Sequence, residues 1–289
     1  MSAPDTIAVP RARRGLGFWR LYLSELHLVI GRRRNQMGLL VLVLPPIVLA
    51  LAQYYSSGGR HHGDGGGPGF VDQIFSNGLF VPLAALTVEM MMFLPLAIAM
   101  LAGDAIAGEA HGGTLRYLLT VPVGRTRLIL VKLAALVTGA FVGCASIALV
   151  GLAIGTALFG SGDVLTLSGT TISFGAGVWR LVQAVLYVTA GMSALAAVGL
   201  FISTLTEQPI AVMVSVMIAN IVMWITDSIS QLDFLHPYLL VHRLPAFADL
   251  MRNPPDHSSM VTGLWVDLAW FVIFSLAAWA RFGGKDVTS

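Results

Sequence analysis

Charged side chains and cysteines are the scarce residues of this 289-residue chain. Asp, Glu, Lys and Arg make up only 11% of it, whereas soluble domains are about one-quarter charged. The single cysteine, Cys144, excludes an intrachain disulfide and a thiolate metal cage. Hydrophobic residues make up 56% of the chain, and its mean hydropathy is +0.80. This composition is typical of a protein that lies in a lipid bilayer.

Sequence motifs of common enzymes are missing as well. The glycine-bearing run from Gly155 to Gly162 lacks the lysine of a P-loop, and the chain has no His-Glu-x-x-His zinc helix. Gly160-Ser161-Gly162-Asp163 matches the Gly-x-Gly-Asp of intramembrane aspartyl proteases over four residues only, and Asp163 lacks a second carboxylate at membrane depth. We therefore predict that the chain is not an enzyme and carries no catalytic, cofactor-binding or metal-binding residue.

Long apolar runs predict six membrane-spanning helices. A span needs about 20 apolar residues, and continuous runs favour helices over the alternating strands of a barrel. Prolines inside the runs predict bends, whereas Pro209 predicts a helix start. Lys132 lies near the start of the third run, so we expect it to snorkel outward, with the crossing beginning near Leu133. The predicted fold is an all-α polytopic membrane protein, a single domain with spans at 37–55, 79–102, 128–159, 178–205, 209–225 and 264–282.

Basic residues cluster on one side of these spans. Of the 17 basic residues, 13 lie before the first span, between the second and third spans, or in the C-terminal tail. By the positive-inside rule, both termini and the link between spans two and three face the cytoplasm. The 13 residues are Arg11, Arg13, Arg14, Arg20, Arg32, Arg33, Arg34, Arg116, Arg125, Arg127, Lys132, Arg281 and Lys285.

The first 36 residues form a basic arm followed by an amphipathic helix. Leu16 to Gly31 places aromatic and aliphatic residues at helical spacing, which predicts an interfacial helix, and Arg32-Arg33-Arg34 after it favours anionic lipid. The alternative is a cytoplasmic helix that packs on its own bundle. A nucleic-acid-binding arm is disfavoured because the cluster directly abuts a span. Frequent Ala, Gly and Arg favour a GC-rich bacterium, and hence a bacterial plasma membrane.

The segment 227–263 is predicted to be the largest external loop. It is too apolar for a solvated loop, yet its prolines interrupt any full span, so we expect re-entrant or surface-lying helices. His236, His242 and His257 do not have i,i+4 spacing, and the sequence assigns them no metal.

A few polar and sulfur-bearing residues lie at membrane depth. Glu89 could contact a substrate, relay a proton or hydrogen-bond a neighbouring helix, and a structural role is the first expectation. Asn220 is expected to bond a neighbouring helix. Met92, Met213 and Met217 offer adaptable apolar surface that could line a route for lipophilic cargo, although plain lipid-facing packing is the more common role of such residues.

The link between the second and third spans resembles that of the type-2 ATP-binding-cassette transporter permeases. The resemblance rests on Gly108-Glu109, Gly113-Thr114-Leu115, Leu118-Leu119, Pro122, Arg125 and Lys132, in that order and spacing. It extends loosely to the whole chain, through the six spans, the N-terminal interfacial helix and the apolar loop before the last span. Gly124 departs from the family, which commonly has serine there.

The resemblance implies a cytoplasmic coupling helix from about Glu109 to Thr120 that binds a separate ATPase subunit. Leu115, Leu118 and Leu119 would form an apolar plug, and charged residues would set its register. The set implied for this contact is Glu109, His111, Gly113, Thr114, Leu115, Arg116, Leu118, Leu119, Pro122 and Arg125.

The resemblance also implies two permease and two ATPase subunits, with ATP and Mg²⁺ on the ATPase. The second permease is another copy or a close homologue, and cargo would cross between the two, lined by Glu89, Met92, Met213, Met217 and Asn220. The function implied is export of a lipophilic or amphipathic substrate. The alternative is a proton- or ion-coupled secondary transporter that uses Glu89 and needs no ATPase.

Overall fold

The computed structural model describes residues 16–58, 77–113 and 124–284, and the structural statements below concern these residues. Thr114, Leu115, Arg116, Leu118, Leu119 and Pro122 of the predicted contact lie outside them. The helices are α1 (Leu16–Gly31), α2 (Arg33–Gly58), α3 (Phe80–Glu89), α4 (Phe93–Ala105), α5 (Ala107–His111), α6 (Arg125–Phe159), α7 (Phe174–Leu205), α8 (Pro209–Asp227) and α9 (Ser258–Gly283).

Five of these helices, α2, α6, α7, α8 and α9, are each long and apolar enough to cross a membrane. The α3 and α4 helices meet at an angle of 57°, and they provide a sixth crossing if the bent pair forms one span. The prediction of an all-α polytopic membrane protein is therefore confirmed. Strand structure in the described residues is confined to a two-stranded antiparallel ribbon, Val164–Leu165 with Thr171–Ile172.

Helix α7 is the centre of the bundle. In its most apolar stretch 78% of the residues are buried, against 17% in α2 and α9 and 22% in α8. It packs most extensively against α9, and then against α6 and α4. Small residues make this possible because they let helix backbones approach closely; Gly199, for example, faces Ala102 of α4. The outer helices therefore leave broad apolar surfaces for lipid or for another chain.

The break between α3 and α4 follows from Pro95. Proline has no backbone N–H, so the carbonyl of Met91, four residues earlier, loses its usual helical donor. The side-chain amide of Asn220 in α8 donates to this carbonyl at 3.1 Å. Pro95 itself is buried in the first turn of α4. The bend is thus stabilised by a polar contact from a neighbouring helix.

Helix α1 packs along α6 through one face. The hydroxyls of Tyr22 and Thr138 lie 2.6 Å apart. Asn35 donates from its side chain to the carbonyl of Val29, near the C-terminal end of α1, and so satisfies one of its last free acceptors. The opposite face exposes Trp19, Leu23 and Ile30. An exposed face with aromatic and aliphatic side chains is typical of a helix that lies in the headgroup region of a lipid bilayer.

Two ends of the bundle can be distinguished. The link between the second and third predicted spans is here called the hinge, and its described parts, α5 and the start of α6, lie at the hinge end. The loop end contains the β-ribbon and residues 228–257, here called the loop segment. In the loop segment the structure has three short 3₁₀ helices, Ser230–Leu232, His236–Tyr238 and Leu244–Met251. Arg180 of α7 donates to the carbonyls of Leu250 and Arg252 at 3.0 Å each, which holds the segment against the bundle.

Candidate functional site at the hinge

An ion cluster joins the hinge to the bundle. Lys132 of α6 lies 2.6 Å from a carboxylate oxygen of Glu109 in α5 and 3.1 Å from one of Glu25 in α1. The Lys132 side chain is 2% exposed. The expectation that it snorkels outward is therefore wrong, because two carboxylates compensate the charge inside the bundle. One ammonium thus connects α6 both to α5, the preceding helix, and to α1.

Two carboxylates, those of Glu109 and Glu25, contact the ammonium of Lys132. Burial raises the pKa of Glu109, and the charge of Lys132 opposes that rise. Within a poorly solvated site each ionic contact is stronger than at the surface, and each lost partner is more costly. The cluster therefore depends on Lys132.

The first end of the hinge is also bonded to α7. The chain breaks its helical bonding at Ile106, between α4 and α5, which leaves backbone donors without helical acceptors. The hydroxyl of Ser203 accepts from the N–H of Ile106 at 3.2 Å and from that of Ala107 at 2.9 Å. Both hydrogen bonds are buried, so they fix the start of α5 against α7.

The second end of the hinge is bonded to α9. Arg125 donates to the carbonyl of Gly283 at 2.7 Å. The indole N–H of Trp279 donates to the hydroxyl of Thr126 at 2.9 Å. Both contacts join the first turn of α6 to the last turns of α9. The two ends of the hinge are therefore anchored to different spans.

The hinge end carries a further ion pair network. Asp104, near the end of α4, lies 3.2 Å from Arg32 and 3.3 Å from Arg34. These arginines lie at the junction of α1 and α2, so the network ties the N-terminal helices to α4. Arg34 also lies 3.3 Å from the sulfur of Met213 in α8.

The residues predicted for the ATPase contact differ in their exposure where the structure describes them. Glu109 is buried against Lys132, and its charge is directed into the bundle. His111 and Gly113 are exposed, and Gly113 has a φ of 69°, which glycine adopts readily. Among the described residues at this point of the hinge, His111, Gly112 and Gly113 are thus the exposed ones. Sequence reasoning missed the role of Glu25, although an acidic residue in an otherwise basic N-terminal region was a usable signal.

The residues predicted to line a route through the membrane differ in their burial. Glu89 is fully buried at the end of α3, and neither carboxylate oxygen has a hydrogen-bond partner among the described residues. Asn220 is buried and bonded to Met91. Met92 is 57% exposed, whereas Met213 and Met217 are half-buried on α8.

A multi-pass helical bundle with a polar hinge fastened to several of its spans is characteristic of the membrane subunits of transporters. The chain belongs to the ABC-2 family of transporter proteins, because the family described as "ABC-2 family transporter protein" matches residues 32–222. This family assignment makes it a transmembrane permease subunit of an ABC transporter. The match includes the bent α3–α4 pair and the hinge.

A shorter similarity points the same way. The chain is 43% identical over 60 residues to the "Probable ABC transporter permease protein NosY" of Pseudomonas aeruginosa. The aligned segment covers 21% of this chain and 22% of that protein. It supports the permease assignment and is too short to compare whole-protein activities.

Proposed function

We propose that this permease exports a lipophilic or amphipathic substrate and is driven by ATP hydrolysis on a separate ATPase that binds residues 108–125. The observation that carries the proposal is the anchoring of both hinge ends: α5 to α1, α6 and α7, and the start of α6 to α9. A force applied to the hinge would therefore reach four helices at once. ATP and Mg²⁺ would bind the partner.

The proposed assembly contains two permease copies and two ATPase subunits. Helix α8 supports a contact between copies, because Ile210, Val214 and Ile218 form an exposed apolar stripe on it. ATP-driven closure of the ATPase pair would push the two hinges together and tilt the spans. The distribution of basic residues supports a hinge and two termini that face the cytoplasm, and the proposed location is a bacterial plasma membrane.

The nature of the substrate is proposed from the apolar surfaces. A cavity of about 210 Å³ lies between α1, α2, α4 and α6. Leu39, Leu42 and Leu94 line it, and Asn35 and Gln36 provide polar groups. Such a site accommodates part of an alkyl chain with a polar group at one end.

A second candidate function is transport driven by a proton or an ion, for which Glu89 would be the coupling residue. The observation in its favour is a fully buried carboxyl group without a described hydrogen-bond partner. The hinge anchors and the family favour the ATP-driven mechanism, because a secondary transporter needs no ATPase contact.

One experiment separates the two functions. We expect Leu118→Asp to abolish copurification of the ATPase and ATP-dependent movement of a fluorescent lipid analogue in vesicles, because a carboxylate would enter the apolar contact. Leu167→Asp, at an exposed leucine of the loop end, is the matched control and should keep both. Movement of the analogue by the permease alone, driven by an ion gradient without nucleotide, would contradict the ATP-driven proposal.

A further inference from the structure

Two histidines and an aspartate come together at the loop end of α8. Asp227 is the last residue of α8, and His236 and His242 lie in the loop segment. One potential ligand atom from each residue lies within 4.8 Å of the other two. Sequence spacing concealed the group, because Asp227 and His242 are 15 residues apart and the intervening chain folds back in short 3₁₀ turns.

The ring of His236 is oriented by the backbone. Its Nε2 lies 3.1 Å from the carbonyl oxygen of Thr226. A carbonyl oxygen only accepts, so Nε2 carries a hydrogen. The other ring nitrogen, Nδ1, lies 3.4 Å from a carboxylate oxygen of Asp233, whose side chain is 75% exposed. Histidines that bind metals commonly donate their second N–H to a carbonyl or a carboxylate in this way. The backbone of α8 thus orients the ring and leaves Nδ1 as the nitrogen that a metal could bind.

The second histidine faces the carboxylate directly. Nδ1 of His242 lies 2.6 Å from a carboxylate oxygen of Asp227, and the two imidazole rings have centroids 5.5 Å apart. The His242 side chain is 33% exposed and that of Asp227 is 18% exposed. Solvent and ions therefore reach the group, while the surrounding chain limits its mobility.

We propose that Asp227, His236 and His242 bind a divalent transition-metal ion. Two imidazoles and a carboxylate are the ligand set of ions such as Zn²⁺ and Co²⁺, whereas Mg²⁺ and Ca²⁺ prefer oxygen ligands alone. Bonds of about 2.0 to 2.1 Å hold neighbouring donors of a tetrahedral ion roughly 3.3 Å apart. Small side-chain rotations bring the observed spacing to that value. Three protein ligands leave a position open to water or another ligand.

The bound ion would fasten the loop segment to α8. This helix is among the least buried of the spans. Beyond the adjoining Ser228 and Ile229, the described hydrogen bonds between its last residues and the loop segment come from His236 and His242. The ion would replace a single hydrogen bond between His242 and Asp227 with three coordinate bonds. The inference is independent of how transport is driven.

The test is a metal titration of the purified full-length permease in detergent, carrying a tag without histidines and stripped beforehand with a chelator. We expect one Co²⁺ per chain, with visible absorption bands that Zn²⁺ abolishes and Mg²⁺ does not. His236→Asn and His242→Asn should each weaken Co²⁺ binding by at least about tenfold. His257→Asn is the matched control, since its exposed side chain lies outside the group, and it should bind as the wild type does.

A second measurement does not depend on variants that fold. Zn²⁺ should slow the modification of His236 and His242 by diethyl pyrocarbonate in the wild-type protein and leave His257 unaffected. Equal Co²⁺ affinity in His236→Asn and the wild type, or Zn²⁺ protection shared equally by all three histidines, would overturn the proposal.

Discussion

Lys132 shows how a single side chain can connect the hinge to the rest of the permease. Its ammonium satisfies Glu109 from the hinge and Glu25 from α1, and all three groups are largely buried. A buried ion pair gives little net stability compared with apolar packing, but removing one partner is strongly destabilising. The expected role of the cluster is therefore to fix the position of the hinge relative to α6 and α1.

We predict that Lys132→Met lowers the stability of the purified permease by about 3 kcal/mol, because two carboxylates remain without their cation. The loss should shrink as the pH falls from neutral towards about 5. Burial raises the pKa of Glu109, so the folded state takes up this proton more readily than the unfolded chain, and a neutral acid needs no cation. Thermal unfolding measured across this pH range checks both expectations.

The control for this variant is Glu25→Gln, which keeps the Lys132–Glu109 contact at 2.6 Å. It should cost less than about 1.5 kcal/mol, the net contribution of an ordinary hydrogen bond. Equal losses of stability in the two variants would contradict the inference that the cluster depends on Lys132. A loss of stability for Lys132→Met that does not change with pH would contradict it as well.

At the scale of elements, close helix contacts set the shape of the bundle. Helix α6 approaches the start of α3 so closely that a Cβ placed on Gly151 would lie 2.8 Å from the Cα of Pro82. Backbone atoms cannot move aside as a flexible side chain can. The two helices therefore keep their separation only while position 151 has no side chain.

We predict that Gly151→Ala lowers stability by about 1 to 3 kcal/mol through overpacking, although alanine is the better helix former. Gly175→Ala in the first turn of α7 is the matched control. No atom lies within 4 Å of a Cβ built there, so this variant should be neutral or up to about 1 kcal/mol more stable. Tryptophan fluorescence during heating compares the two, and equal melting temperatures would show that α3 moves freely away from α6.

For the whole molecule, the distribution of charge predicts the orientation in the membrane. The hinge end carries Arg32, Arg34, Arg125 and Lys132, and the loop end has few basic residues. The same end would have to face the ATPase. Topology is therefore the property on which the electrostatic argument and the proposed mechanism can be tested together.

We predict that a membrane-impermeant maleimide labels Ser161→Cys in intact cells, and labels Gly124→Cys only after the membrane is opened. Both positions are exposed, Ser161 at the loop end and Gly124 at the hinge end. The background is low because Cys144, the only native cysteine, is fully buried. Labelling of Gly124→Cys in intact cells would reverse the orientation and place the hinge away from any cytoplasmic ATPase.

The sequence by itself determined the class of fold and the location of the hinge. Apolar runs of about 20 residues must form helices in lipid, since no water is present there to satisfy the backbone. Tertiary structure decided which polar groups meet. Lys132 with Glu25 and Asn220 with Met91 are pairings of residues far apart in the chain. Asp227 meets the two histidines only because the intervening turns fold back on α8. Helical periodicity constrains neighbours within one helix only, whereas these contacts depend on how whole helices and turns pack.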